Sequence, residues 1–186
     1  MGYGVVATEF IPMGTITWVL DKLDREFSPH EIQLMEPLYQ DILSTYTYRN
    51  NKGNFVLCWD NGRYVNHSFH ANCLTTAYDF EIAIRDIQPG EQLTDDYGYL
   101  NITEPFRGIP EKSRRKVVYP DDLLKYYNTW DKKLEKAFRH LPQVHQALRP
   151  VVKDETWEKA LAVGRGEEQM DSILNCYFQE AGNNHS

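Results

Sequence analysis

The apolar positions along this chain change rhythm once. Up to about residue 104 they fall in short runs separated by turn residues. Residues 4–20 read as short strands broken at "PMG". The runs "FVLCW", "LTTAYDFEIAI" and "QLTDDYGYL" read as further strands, and "RNNKGN", "DNG" and "QPGE" as turns. One helical insertion interrupts them. In "SPHE", Ser28 is a cap, Pro29 suits the first helical position and Glu31 returns the capping-box bond, which predicts a helix running towards Met35. Pro37 begins a second helix, through Thr45.

Beyond the loop "EPFRGIPEKSRRK" the spacing becomes helical. Leu123, Tyr127, Trp130, Leu134, Phe138 and Leu141 share one stripe, with "YPDD" as the start and Pro142 as the stop. A shorter helix is expected over residues 155–163, with Gly164 after it. Met170, Ile173, Leu174, Tyr177 and Phe178 predict another, ended by Gly182. These stripes read as packing faces. The basic run Lys112, Arg114, Arg115 and Lys116 reads as a solvated loop. Residues 1–104 therefore form one unit, and residues 105–186 a loop with a helical extension.

Composition narrows the class. With 186 residues and 41% hydrophobic content, the chain buries a sizeable core. No apolar run approaches the roughly 18–20 residues of a membrane helix, and "MGYGVV" has neither the basic nor the apolar region of a signal peptide. Val6 stands where a myristoylation signal needs Ser or Thr. Cys58, Cys73 and Cys176 are odd in number and unpaired in pattern, which suits a reducing, cytoplasmic compartment. Residues 1–104 carry 15 acidic and 6 basic side chains, and the remainder 12 and 14. The first part suits a basic partner and makes a poor nucleic-acid surface.

The stretch "GRYVNHSFHANC" is unusually polar for a link between two strands. His67, His70 and Cys73 have zinc-type residues at a spacing that needs a helix to converge, and no second ligand cluster exists, so no metal is expected. Ser68 and Cys73 lack a nucleophile elbow. Two further pieces accompany it: "GYG" at residues 2–4, where backbone can approach a ligand, and "AIRDIQPGEQLTDDYGYLN" at residues 83–101.

Taken together, the three pieces resemble the SET domain of protein lysine methyltransferases. Gly2-Tyr3-Gly4 matches the family's Gly-x-Gly strand. Arg63-Tyr64-Val65-Asn66-His67-Ser68, with Asn72, matches the second motif. Ile87, Gly90, Glu91, Leu93, Tyr97 and Gly98 match the third. The resemblance covers residues 2 to about 101. It implies an α+β fold, the SET-domain β-clip of short curved sheets with a knot-like crossing, followed here by a helical C-terminal extension. It implies S-adenosyl-L-methionine as cofactor. Asn66 then bonds the cofactor's amino-acid part and His67 contacts the adenine. Gly2, Tyr3 and Gly4 bring main chain against the cofactor, Arg63 and Tyr64 flank it, and Phe106 and Tyr119 are expected to cover the adenine. Ser68 and Asn72 hold the turn.

The implied reaction is methyl transfer to a lysine of a basic, histone-like protein substrate, with Tyr97 as the catalytic residue that orients the amine. Tyr99, then Tyr48, then Tyr46 are the candidate second rings of the lysine channel, with Tyr78 also considered. The chain departs from the family in three ways. Asp95 stands where Tyr or Phe is frequent, two before Tyr97, and a carboxylate there either binds a lysine ammonium or points to solvent, so the number of methyls added does not follow. The cysteines of a post-SET zinc site are missing from "EPFRGIPEKSRRKVV". Residues that precede Gly-x-Gly in the family have no counterpart before Gly2, which implies a truncated or minimal N-terminal wall. The layout resembles compact bacterial members. The competing reading is a non-catalytic module that binds cofactor or a basic protein tail.

Overall fold

The computed structural model describes residues 2–179. Ten short strands and four helices follow in chain order: β1 Ile16–Val19, β2 Arg25–Phe27, α1 Pro29–Gln33, α2 Pro37–Tyr46, β3 Thr47–Arg49, β4 Phe55–Leu57, β5 Asn66–His67, β6 Cys73–Thr75, β7 Phe80–Ala83, β8 Thr94–Asp95, β9 Phe106–Arg107, β10 Val117–Val118, α3 Asp122–Phe138 and α4 Asp154–Arg165. Four small sheets result, with strand orders β1-β7-β6, β2-β4-β3, β10-β9 and β5-β8.

The helical insertion forms as its capping signals predict. Ser28 Oγ accepts from the Glu31 N–H at 3.2 Å, and the Glu31 carboxylate accepts from the Ser28 N–H at 2.7 Å. The run "LTTAYDFEIAI" is two strands rather than one. β6 and β7 form an antiparallel hairpin whose turn holds Asp79 at φ 57°. Asp is among the few non-glycine residues that accept this region readily. Only Val6 and Ile11 of residues 4–15 make isolated strand bridges, to Gln92 and Ile87.

One core cluster spans both halves of the chain. Ile16, Phe80 and Ile82 of the first sheet pack with Leu123, Trp130, Leu134 and Phe138 of α3. Each such buried side chain contributes roughly 1.5–3 kcal/mol of transfer free energy. The α3 stripe thus buries the face that its spacing predicts.

Two C-terminal expectations are corrected. Gly164 lies inside α4, and the left-handed cap is Gly166 at φ 75°. Gly164 serves close approach instead: a Cβ there would stand 2.6 Å from the Phe138 carbonyl oxygen. The stripe from Met170 to Phe178 forms only a 3-10 turn, Ile173–Cys176. Side chains elsewhere take its backbone groups: Asp131 accepts from Ile173 N at 2.9 Å, and Asn101 accepts from Phe178 N at 2.9 Å. These bonds replace the helical ladder. Gly182, expected to end that helix, lies outside the described residues.

Candidate active site

The second and third motifs meet through one short parallel pairing. β5 runs beside β8 with Asn66 opposite Thr94 and His67 opposite Asp95. Ser68 N–H donates to the Asp95 carbonyl at 2.9 Å. Asn72 locks the arrangement with its amide. Its Nδ2 donates to Gln92 O at 2.8 Å, and its Oδ1 accepts from Thr94 N at 2.8 Å. Asn72 is 0% exposed, so both bonds are made away from water.

After β8 the chain turns sharply. The Asp96 side chain accepts from Gly98 N at 3.1 Å and starts a 3-10 turn over Tyr97–Tyr99. The other Asp96 oxygen is held by Arg115, whose second nitrogen binds Asp122 at 2.6 Å. The Arg115 guanidinium also lies over the rings of Phe69, Tyr126 and Trp130. Arg115 is therefore no part of a solvated loop. It is an internal clamp between the third motif and the start of α3. The bond to Asp96 and the surrounding carboxylates hold it protonated, outweighing the effect of its burial.

Tyr97 is fixed at both ends. Its hydroxyl donates to the Val65 carbonyl at 2.6 Å, and its backbone N–H donates to His67 Nδ1 at 3.2 Å. His67 Nδ1 is thus an acceptor, and the neutral ring carries its proton on Nε2. That nitrogen is buried without a hydrogen-bond partner and lies against Gly108. Burial lowers the His67 pKa, against the opposing pull of the Asp96 carboxylate. Phe69, Phe106 and Tyr97 surround the imidazole, with centroids at 4.5, 5.4 and 5.5 Å.

A second group gathers on the solvent side of Asn66. Its Nδ2 donates to Tyr3 O at 2.8 Å, and the Tyr3 ring lies 5.6 Å from Tyr64. A Cβ on Gly4 would lie 3.1 Å from Asn66 Nδ2 and collide with the end of Gln92. Gly2, by contrast, has open space around it.

Tyr97 also lines a cavity of about 470 Å³. Its walls include Trp18, Tyr46, Tyr48, Arg63, Tyr97 and Phe106, and its polar lining includes Glu81 and Asp95. Asp95 is 4% exposed, and its Oδ1 has no hydrogen-bond partner among the described residues. Glu81, opposite Trp18 and Thr75 in the sheet, keeps part of its surface open to the cavity although protein surrounds it. Burial pushes both carboxyls up; Asp95 raises Glu81 further, whereas hydrogen bonding from Glu81 and Tyr99 pulls Asp95 partly back. Burial likewise pushes the Tyr97 phenol up to about 12, with Asp95 and Glu81 adding to it.

Comparison with protein-family models matches residues 2–98 to the SET domain. The chain belongs to the SET-domain family. Members of this family are typically S-adenosylmethionine-dependent protein lysine methyltransferases. No curated protein matches the chain significantly.

Seen as a SET domain, the site gathers most of the residues that the motifs nominate. Tyr3, Gly4, Tyr64 and Asn66 stand together, and His67, Tyr97 and Phe106 form an adjoining aromatic group. Tyr48, Asp95 and Arg63 line the cavity. Tyr99 does not line it. That ring is 1% exposed, packed edge-on to Trp130 in the core, with its hydroxyl beside Asp95 but in no hydrogen bond of good geometry. The 3-10 turn directs Tyr97 and Tyr99 to different sides, whereas a strand would have put them on one face. Tyr78 is also a core ring, stacked on Phe80. Tyr119 is half exposed with Lys125 over its ring, and it follows Val118, which pairs with Phe106. Glu81, Trp18 and Cys58 line the cavity without belonging to any motif. Among the described residues no three His, Cys, Asp or Glu side chains converge on a metal-sized point.

The residues present fit a ligand with a polar amino-acid end and a flat aromatic end. Asn66 Oδ1 accepts no hydrogen bond from the described residues, and the residue is only partly buried. Gly2 and Gly4 leave main chain accessible, and Tyr3, Tyr64 and Phe106 supply ring faces.

Proposed function

We propose that this SET-domain chain is a protein lysine methyltransferase that uses S-adenosyl-L-methionine and acts on a basic protein. The supporting observation is the position of Tyr97. Its ring lies 5.5 Å from that of His67 in the Asn66–His67 wall and also lines the aromatic cavity, so it borders both proposed binding regions. Gly2, Tyr3, Gly4, Tyr64 and Asn66 would hold the cofactor's polar end, with His67, Phe106 and Arg63 towards its other parts. Bound there, S-adenosylmethionine supplies an electrophilic methyl on a cationic sulfur.

This chain's own residues orient the nucleophile. The Tyr97 phenol, its pKa pushed up by burial, stays protonated throughout the working pH range and donates a hydrogen bond to Val65 O. It is therefore no base. Its oxygen lone pairs remain free to accept an N–H from the amine, which fixes the direction of the attacking lone pair. Alignment of this kind supplies several kcal/mol of the barrier reduction. The aromatic walls exclude water, and the acidic surface of the first 104 residues favours a basic partner. The three free thiols agree with a cytoplasmic setting.

The test is incubation of the chain with cell lysate and isotope-labelled cofactor, followed by tandem mass spectrometry. The expected label sits on lysine Nε of basic proteins. Cofactor binding with no transfer to lysate or to a broad peptide panel would instead favour a non-catalytic binding module.

A further inference from the structure

The cavity's acidic lining is not explained by the motifs. Glu81 comes from β7 and Asp95 from β8, yet both face the same aromatic-walled space. Buried carboxylates are ordinarily paired with a cation or metal, and without one they take up a proton instead. Among the described residues no Lys, Arg or His lies within ion-pair distance of either one. Arg63 lines the cavity, but its guanidinium lies over the Tyr64 ring at 5.1 Å, and that of Arg49 lies over Phe178 at 4.1 Å. Asp95 Oδ1 is buried with no hydrogen bond of good geometry, and the polar groups beside that carboxyl are the Glu81 carboxyl and the Tyr99 hydroxyl, neither a cation.

We propose that Glu81 and Asp95 form a paired-carboxyl seat for the charged head of a primary-amine side chain, selecting an ammonium over a neutral group of the same size. The methyltransferase reading is needed only to make that occupant a lysine. Two adjacent buried carboxyls retain one proton between them, because both charges together are too costly. Asp60 and Asp96 add negative potential, and the neighbouring Tyr48, Tyr97 and Cys58 stay neutral. Arrival of the ammonium removes that cost. The pair gives its shared proton to solvent, and the cation rests between two carboxylates, either of which can take a proton back from it before the neutral amine's lone pair attacks. Ammonium N–H groups then have charged acceptors, and the alkyl stem lies against Trp18 and Tyr48.

The probe pair is butylammonium chloride and butan-1-ol, which match in length and differ in charge. Binding to the full chain is followed by the NMR shift of the Trp18 indole N–H and by calorimetry at pH 7.5 in phosphate and in Tris. The expected result is at least tenfold tighter binding of the ammonium, with heats that differ between buffers because a proton is released. Glu81→Gln and Asp95→Asn should each bring the ammonium-to-alcohol ratio close to one while the circular dichroism spectrum is retained. Equal binding of the two probes, no binding of butylammonium, or a ratio unchanged in both variants overturns the seat. Buffer-independent heats overturn the proton release. If one variant does not fold, the other variant and the wild-type comparison decide. Ammonium selectivity without any methyl transfer overturns the proposed reaction and leaves the seat standing. Methyl transfer without selectivity does the reverse.

Discussion

The Tyr97 hydroxyl donates to the Val65 carbonyl across 2.6 Å, tying the third motif to the second at the wall of the cavity. The phenol is thereby aimed without being ionised. Tyr97→Phe removes the oxygen and leaves the ring, so the fold should lose only about 1 kcal/mol, the worth of one hydrogen bond. Methyl transfer should fall about 100-fold or more, because small misplacements of a reacting group cost on that order. A labelled-methyl assay beside a thermal melt checks both. Equal transfer by the variant would remove Tyr97 from the reaction.

Asn72→Ala should destabilise the protein by roughly 2–6 kcal/mol. The substitution strands the Gln92 carbonyl and the Thr94 N–H, and each buried group left unsatisfied costs about 1–3 kcal/mol. Urea unfolding followed by tryptophan fluorescence measures the loss.

Arg115→Met should cost about 3–5 kcal/mol, the range for removing one member of a buried charge cluster. It leaves the Asp96 and Asp122 carboxylates facing each other with no cation between them. Lysine at this position should recover only part of the loss, because a point charge cannot bridge two carboxylates and cover three rings as the planar fork does. Urea midpoints of the two variants give the comparison.

The carboxyl pair predicts a pH dependence. Glu81 and Asp95 have folded-state pKa values raised above their ordinary 4.5 and 3.8. The folded state therefore holds its protons more tightly than the unfolded state does. Stability from this source is full below about pH 4 and is lost as pH rises through the folded values. His67 works in the opposite direction. Its lowered pKa means that stability is lost as pH falls below about 6.5. Glu81→Gln should flatten the decline of melting temperature with rising pH and leave the histidine-dependent loss on acidification in place. Melting curves from pH 4 to 9 test this.

The three motifs were legible because each is a contiguous string whose members stay together after folding. The capping box at Ser28 and the α3 stripe were legible for the same local reason. Glu81 was not. In "FEIAI" it alternates with Phe80 and Ile82, which marks it as an outward-facing residue. That outward face is closed by Trp18, Tyr48 and β8, which alternation within one strand cannot show. Arg115 was hidden by its basic neighbours, since burial is decided by Asp96 and Asp122 from other segments. Tyr99 was misplaced because a 3-10 turn changes the side of the chain that a residue two positions on will face.

The Arg115 clamp sets an order of events during synthesis. Asp96 adjoins Tyr97, and its partner arrives 19 residues later, with Asp122 following. A nascent chain that has emerged only through the third motif carries every recognisable signature and an uncompensated acidic loop. The site is completed when α3 leaves the ribosome and docks.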